Sequence, residues 1–175
     1  MVSAQERPQL TEEQLRRLSI RPVPDKVGLY LLPGFDGNMS GGNVLVLVTD
    51  EGLMIVDNKF SYSHANIIGQ IATVTNQPVK YVLNTHHHFD HAGSTAEFLP
   101  DAQIIAHRNV RTNILRNNQS GPPNVIFDES AAVMLGGQEV QALHFGRGHT
   151  NGDSVIFFRD LGVVHTGDLF IWGDR

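Results

Sequence analysis

Cysteine is absent from this chain of 175 residues, and its absence narrows the chemistry available to the protein. Disulfides and thiolate metal ligands are excluded outright, and so is a cysteine nucleophile. Any bound metal must be held by histidine and carboxylate side chains. Such ligands suit zinc, manganese or iron better than a cysteine-bound structural zinc.

Basic residues and long apolar runs are also scarce. The 13 Lys and Arg residues are outnumbered by 18 Asp and Glu residues, which gives a net charge of −5. Nucleic acids and anionic membranes require a basic face, so we expect neither as a partner. No run is long and apolar enough to span a bilayer, and the polar N-terminus lacks the apolar core of a signal peptide. A cytoplasmic chain and one exported with a removed leader both fit this pattern, and no pattern indicates an oligomeric state.

The order of apolar segments predicts one layered α/β domain. Hydrophobic residue types make up 41% of the chain, which is enough for a real core. Polar residues 1–25 are interpreted as an N-terminal arm, with a short helix capped by Thr11, and residues 26–175 as the domain. Strands are predicted at 27–32, 43–49, 53–57, 79–84, 103–106, 125–127, 132–135, 140–145, 154–158 and 163–165, and helices at 62–75, 92–99 and 107–117. This order favours a mixed sheet covered by helices.

A histidine-rich stretch, Asn84-Thr85-His86-His87-His88-Phe89-Asp90-His91, directly follows an apolar strand. Alternate residues of an extended segment point the same way, so His86 and His88 can share one metal ion while His87 points away. Asp90 and His91 lie where the chain should turn into a helix, and they can reach a second ion. Neutral imidazole and carboxylate groups are suitable zinc ligands. A solvated histidine-rich turn is the alternative interpretation.

Two further candidate ligands follow later strands. His149 lies in the glycine-rich turn Gly146-Arg147-Gly148-His149-Thr150, and Asp168 follows His165-Thr166-Gly167. Each signal is weak by itself, but all three elements lie at strand C-terminal ends, where α/β proteins build their sites. The remaining histidines fit structural roles better: His107 opens a predicted helix, and His64 and His144 are expected in the core or on the surface.

The pattern His86-x-His88-x-Asp90-His91, followed by Gly148-His149-Thr150 and Gly167-Asp168-Leu169-Phe170, resembles the metallo-β-lactamase superfamily in order and spacing. The resemblance runs from about residue 27 to residue 175. It implies a four-layered αββα sandwich with mixed sheets and with the metals at one edge of the two sheets. It also implies a first metal on His86, His88 and His149, and a second on Asp90 and His91, with Asp168 bridging both. Asp57 resembles the family's acidic residue behind the metal ligands.

One ligand of the family pattern has no counterpart in this sequence. The family normally adds one more histidine to the second metal, further along the chain, but no histidine follows His165. His165 itself is too close to Asp168 to match that position. We therefore expect a chain that lacks its C-terminal part, with a weak second site. A ligand from a partner chain, or tight binding of the first metal alone, are the alternatives.

The resemblance implies a hydrolase that acts on a small-molecule substrate. Two zinc ions are expected, with iron or manganese as alternatives. A metal-bound hydroxide would cleave an ester, lactone, thioester or amide-type bond, with Asp90 as the catalytic residue that orients the nucleophile. Asp168 as a bridge resembles the thioesterase and lactonase branches, whereas β-lactamases usually carry Cys or Ser there, which leaves β-lactamase activity as an alternative. A mononuclear iron dioxygenase, similar to persulfide dioxygenases, is a second alternative, and a catalytically inactive binding module is a third.

The substrate pocket is expected to be formed by loops. The segment Gly34-Phe35-Asp36-Gly37-Asn38-Met39 is a candidate apolar wall, and a plain hairpin loop is the alternative. Helix 107–117 and the loop at Pro122-Pro123 are further candidates.

Overall fold

The computed structural model describes residues 11–34 and 40–171. The helices in these ranges are α1 (Glu12–Arg17), α2 (His64–Ile71), α3 (Phe89–Ala92), α4 (Thr95–Phe98) and α5 (Arg108–Arg116). The strands are β1 (Arg21–Pro22), β2 (Leu29–Leu32), β3 (Val44–Thr49), β4 (Gly52–Val56), β5 (Val79–Leu83), β6 (Gln103–His107), β7 (Val125–Phe127), β8 (Ser130–Leu135), β9 (Gln138–Leu143), β10 (Val155–Phe158) and β11 (Val163–His165). Most of the candidate pocket segment 34–39 lies outside the described residues.

The larger sheet contains β1 to β7 in chain order. Strands β1 to β4 pair antiparallel, and β4 to β7 pair parallel, as expected for hairpins followed by helical crossovers. The first strand belongs to the polar segment interpreted as an arm, and Arg21 pairs with Leu31 in the sheet. Strand β4 is buried along its whole length, because both faces of the sheet are covered.

The smaller sheet is antiparallel, in the order β11-β10-β9-β8. In β9, Val140 and Ala142 are buried and alternate with partly exposed neighbours, so one face points into the core. These residues pack with Ile156 and Phe158 of β10 against Leu47 and Met54 of the larger sheet. The main core therefore lies between the two sheets.

Helices cover the other face of the larger sheet. Ile67 of α2 and Phe98 of α4 pack against Ile55 and Ile104 of the sheet. Helix α5 packs against Ala106, which shares its face of β6 with Ile104. The layered α/β architecture is thus confirmed, with a mixed larger sheet and an antiparallel smaller sheet, and the described residues supply one helical layer and both sheets. No helix in the described ranges is long and apolar enough to cross a membrane.

The region predicted as helix 92–99 forms two short helices instead. The backbone N–H of Gly93 donates to the carbonyl of Lys59 at 2.7 Å rather than continuing a helix. A Cβ atom on Gly93 would lie 2.8 Å from the Cα of Phe60, so the two segments approach too closely for any other residue. The break fixes α3, and with it Asp90 and His91, against the chain that follows β4.

The two sheets meet at the end where the candidate ligands lie. Strands β4 and β5 are parallel neighbours, so Asp57 and the histidine-rich stretch leave the larger sheet at the same edge. The N–H of Ser154, just before β10, donates to the carbonyl of Thr85 at 2.9 Å and ties the smaller sheet to this edge. The fold thereby brings together segments that are more than 60 residues apart in sequence.

Candidate metal centre

The structure brings the six candidate ligands together at this edge. In the part of the chain that the structure describes, two groups of three residues have ligand atoms that all lie within 4.8 Å of one another, and His86 belongs to both. One group is His86, His88 and His149, and the other is His86, His91 and Asp168. Asp90 lies beside the second group, with its Oδ2 atom 3.6 Å from Nε2 of His91.

Asp168 lies between the two groups. Its Oδ1 atom is 3.0 Å from Nε2 of His91. Its Oδ2 atom lies 3.5 Å from Nε2 of His149 and 4.0 Å from Nε2 of His86. In the first group, Nε2 of His149 is 2.9 Å from Nδ1 of His88. One carboxylate therefore faces histidines of both groups, which is the arrangement expected of a bridging ligand.

Local backbone geometry sets the direction of the candidate ligands. His88 is still extended, with φ −63° and ψ 150°, and α3 begins at the next residue, so Asp90 and His91 leave the strand direction. Asp168 lies in the 3-10 turn Gly167–Leu169 that follows β11. Gly167 has φ +52°, and a Cβ atom there would lie 2.5 Å from Oγ1 of Thr85, so the turn requires glycine.

Asp57 and Thr85 orient two of the imidazoles from behind. The backbone N–H and the hydroxyl of Thr85 donate to the Asp57 carboxylate, each at 2.8 Å. Nδ1 of His91 lies 2.7 Å from Oδ2 of Asp57, and Nδ1 of His86 lies 3.1 Å from the Thr85 oxygen. Because the Thr85 proton is given to Asp57, its oxygen accepts the His86 Nδ1–H. Both rings then turn Nε2 towards the centre, as metal-ligating histidines do.

Electrostatics distinguish the two buried imidazoles of the centre, His86 and His91. Burial alone would lower the pKa of His91, but the Asp57 and Asp168 carboxylates and its hydrogen bonds to them raise it to about 10. Burial and the charge of His91 lower the pKa of His86 to about 3. The hydrogen bond from His91 holds the pKa of Asp168 below its usual range. His86 therefore presents a neutral ring with a free lone pair.

The buried Nε2 atom of His86 indicates whether these residues fit a metal ion. Nε2 of His86 is buried and has no hydrogen-bond partner within the described part of the chain. A buried polar atom without a partner costs about 1–3 kcal/mol, and of the four such side-chain atoms in the described residues this is the only imidazole nitrogen. A divalent cation held by His86 and its neighbours would satisfy this nitrogen. The neutral imidazoles and the carboxylates present are the ligand types that zinc accepts, so the residues fit a metal ion.

The other histidines lie outside both ligand groups. His107 caps α5, accepting from the N–H of Asn109, as predicted for a residue that opens the helix. His144 stacks on His107 with ring centroids 3.8 Å apart, and His64 packs edge-on against Phe98. His165 is buried, contacting the carbonyl of Asn43 and accepting from the N–H of Gly167.

Polar side chains of α5 brace the loop that carries His149. Asn109 and Asn113 donate to the carbonyl and the side-chain oxygen of Asn151, both at 2.7 Å. Within the loop, Asp153 accepts from the N–H and the hydroxyl of Thr150. Helix α5 thus supports the loop that carries His149, and its predicted contribution to a substrate pocket stays a prediction.

Sequence reasoning did not assign roles to Thr85 and Lys59. Thr85 directly precedes His86, and a hydroxyl beside a ligand was the only available signal. Lys59 is buried, and its Nζ donates to the carbonyls of Pro33 and Gly42 at 2.8 and 2.7 Å. Burial lowers the pKa of Lys59 to about 7. Its partners are 26 and 17 residues away along the chain, so no local pattern indicates these contacts.

Comparison with curated proteins finds relatives that are longer than this chain. The metallo-beta-lactamase IND-1 of Chryseobacterium indologenes is 28% identical over 153 residues, which are 85% of this chain and 63% of that protein. The 2,4-dinitroanisole O-demethylase subunit alpha of Nocardioides sp. (strain JS1661) is 28% identical over 135 residues, 74% of this chain and 41% of that protein. The chain thus spans less than two thirds of the length of either relative.

Solved structures share the fold. A metallo-beta-lactamase from Pontibacter korlensis matches with a TM-score of 0.69 at 23% identity, covering 81% of this chain and 66% of that one. The metallo-beta-lactamase IND-7 matches with a TM-score of 0.68 at 24% identity, covering 82% and 67%. The model of the family described as the metallo-beta-lactamase superfamily matches residues 37–174, which contain all six candidate ligands. The chain therefore belongs to the metallo-beta-lactamase superfamily.

Proposed function

We propose that this protein is a metal-dependent hydrolase with a binuclear zinc centre, which cleaves an ester, lactone, thioester or amide-type bond of a small molecule. The observation that carries the proposal is the buried Nε2 of His86, which has no hydrogen-bond partner among residues 11–34 and 40–171 and lies in both groups of potential ligands. A histidine–carboxylate cluster with such an atom at its middle is explained by cations better than by hydrogen bonding within the protein.

The first ion would be held by His86, His88 and His149, and the second by Asp90 and His91, with Asp168 between them. When bound, divalent ions at these positions supply Lewis acidity and lower the pKa of a coordinated water to about 7. Histidine and carboxylate ligands without cysteine also admit iron and manganese, so metal identity is part of the test.

The chain's own residues would orient the reaction. Asp57 and Thr85 keep His91 and His86 in the tautomers that direct Nε2 inward. Asp90 has a partly exposed side chain beside His91, so its carboxylate can accept a proton from the attacking water. The backbone carbonyl of Asp90 is held by the N–H of Gly42 at 2.8 Å, which limits the freedom of this residue.

The test compares the wild-type protein with His88→Ala, beside His64→Ala as a control outside the centre. Elemental analysis would measure zinc, iron and manganese per chain, and p-nitrophenyl esters, a thioester and a lactone would serve as substrates. In excess zinc we expect about two zinc ions per chain in the wild type and His64→Ala proteins, with the second held more weakly than the first because no histidine follows His165. In His88→Ala we expect loss of at least one ion and a fall in hydrolysis of more than about 100-fold.

The alternatives predict different outcomes of the same measurement. No metal in either protein would refute the proposal. One iron per chain without hydrolysis would favour the dioxygenase, and bound zinc without hydrolysis of any substrate would favour an inactive binding module.

Hydrolysis of β-lactams is a second candidate, favoured by the relatives that are named metallo-beta-lactamases. A chromogenic cephalosporin added to the same substrate panel would test it. If this substrate is turned over faster than the esters and lactones, and the activity is lost in His88→Ala, β-lactams would replace esters and lactones as the proposed substrates. The proposed metal centre would stand.

A further inference from the structure

Lys59 places a buried amine beside the candidate centre. This lysine is not one of the six candidate ligands, so the proposed function gives it no role. Only 5% of its surface is exposed, which is rare for lysine. Its Nζ atom lies 2.7 Å from the carbonyl of Gly42 and 2.8 Å from that of Pro33. Both the ammonium and the neutral amine carry the two N–H groups that these bonds need. Burial of such a group is tolerated only when it is hydrogen-bonded, so the contacts are specific.

Hydrogen bonds to α3 and to the residue that follows it hold the backbone around Lys59. Lys59 has a positive φ of 58°, which is uncommon for a residue with a side chain. Its carbonyl accepts from the N–H of Gly93 at 2.7 Å, and the N–H of the preceding Asn58 donates to the carbonyl of His91 at 2.7 Å. The side chain of Lys59 therefore starts from a point anchored to the helix that carries Asp90 and His91.

The partner of Lys59 lies directly against these two residues. The N–H of Gly42 donates to the carbonyl of Asp90 at 2.8 Å. A Cβ atom on Gly42 would lie 2.3 Å from Cε1 and 2.6 Å from Nε2 of His91, so the Gly42 backbone touches the imidazole itself. Fixing the Gly42 peptide thus limits where the His91 ring and Asp90 can lie.

We propose that Lys59 is a positioning residue for the second ion: by holding the Gly42 carbonyl, it seats the Gly42 backbone against His91 and Asp90. The inference rests on the proposed function, because it assumes that these two residues ligate a cation. It assigns no direct contact between Lys59 and the ion. Its specific consequence is that loss of the amine weakens the second ion more than the first, since the Gly42 backbone lies against His91 and Asp90, the two residues assigned to the second ion alone.

The experiment measures zinc affinity by competition with a chromophoric chelator in the wild type, Lys59→Met, Lys59→Arg and Lys80→Met proteins. Methionine keeps the length of the side chain without its donors, arginine keeps a positive charge with N–H donors for both carbonyls, and Lys80 is an exposed lysine outside the centre. In Lys59→Met we expect affinity for the second zinc to fall about tenfold or more, as is typical for supporting residues of metal sites. The first zinc should change by less than about twofold, Lys59→Arg should recover most of the loss, and Lys80→Met should match the wild type.

Gly42→Ala provides an independent variant, because its methyl group displaces His91 without touching the amine. It should show the same selective loss of the second zinc, and an unchanged second zinc in this variant would overturn the inference even if Lys59→Met does not fold. Equal zinc binding by folded Lys59→Met and wild type would overturn the inference, and so would an equal loss of both ions in a folded variant, which indicates a role in the fold alone. A wild type that binds one zinc, with unchanged affinity in Lys59→Met, would also overturn it. A wild type that binds no zinc would refute the proposed function itself.

Discussion

At the scale of single residues, the hydroxyl of Thr85 links the two halves of the candidate centre. It donates its proton to Asp57 and accepts one from His86, while Asp57 also accepts from His91. A single carboxylate and a single hydroxyl therefore fix the tautomers of two imidazoles. Such supporting hydrogen bonds make a histidine a better and better-oriented ligand.

Thr85→Val keeps the shape of this side chain and removes the hydroxyl. We expect zinc affinity to fall by roughly 10–100-fold, because His86 contributes to both ligand groups and loses the partner of its Nδ1. The metal-free protein should also lose about 1–3 kcal/mol of unfolding free energy, since buried polar groups are left unpaired. Chelator competition and urea unfolding would measure the two effects.

Thr85→Ser is the matched control, since it restores the hydroxyl and should bind zinc within a few fold of the wild type. Unchanged zinc affinity in Thr85→Val would show that the hydroxyl does not orient His86.

At the scale of secondary-structure elements, helix α5 acts as a brace for a loop. His149 lies between β9 and β10 in a segment without regular structure, yet Asn109 and Asn113 of α5 hold the neighbouring Asn151. A ligand on a loop needs such external contacts, because no helical or sheet hydrogen bonds fix its backbone. The packing of α5 on the sheet therefore also sets the position of His149.

Asn113→Ala should loosen this brace and weaken the ion that His149 would hold. We expect affinity for the first zinc to fall by about 10-fold or less. Supporting residues of metal sites typically contribute about 10–100-fold, and Asn113 acts only indirectly, through Asn151. The loss of unfolding free energy should be about 1 kcal/mol. Zinc competition titrations would be compared with those of Thr112→Ala, which changes an exposed position of the same helix. Selective weakening of the second ion instead would contradict the assignment of His149.

At the scale of the whole molecule, the candidate ligands come from both sheets. His86, His88 and His91 follow a strand of the larger sheet, whereas His149 and Asp168 follow strands of the smaller sheet. A cation between them would tie the two sheets together at one edge, beyond the apolar core they share. Metal binding should therefore stabilise the fold as a unit.

Removing metal should lower the thermal stability of the protein. Zinc at about 1,000 times its dissociation constant adds about 4 kcal/mol to the unfolding free energy. For a domain of this size that corresponds to a rise in Tm of roughly 10 °C. Calorimetry in excess zinc and in EDTA would measure the difference.

His149→Ala should lose much of this rise while keeping a similar Tm in EDTA, because the side chain is partly exposed and makes little contribution to the core. An equal effect of zinc on both proteins would mean that the ion binds elsewhere.

The sequence by itself determined the layered α/β architecture, the family and the choice of candidate ligands. Alternation along an extended strand placed His86 and His88 on one side, and the strand ends placed His149 and Asp168 at the same edge. Asp57 was identified by the family resemblance. The structure shows these residues close together, and their role as ligands stays a prediction. Such inferences succeed because periodicity and strand ends encode the direction of a side chain, and direction is a property of the local backbone.

Tertiary structure alone decided how the centre is supported. Four features depend on contacts between segments far apart in the chain. They are the break between α3 and α4, the contact of Lys59 with Gly42, the packing of Gly42 on His91 and the hydrogen bonds from α5 to the His149 loop. The sequence pattern predicted one continuous helix at 92–99, because nothing local shows that Gly93 must lie against Phe60 and bond to Lys59. Distances between remote segments depend on how whole layers pack, and no local pattern specifies that packing.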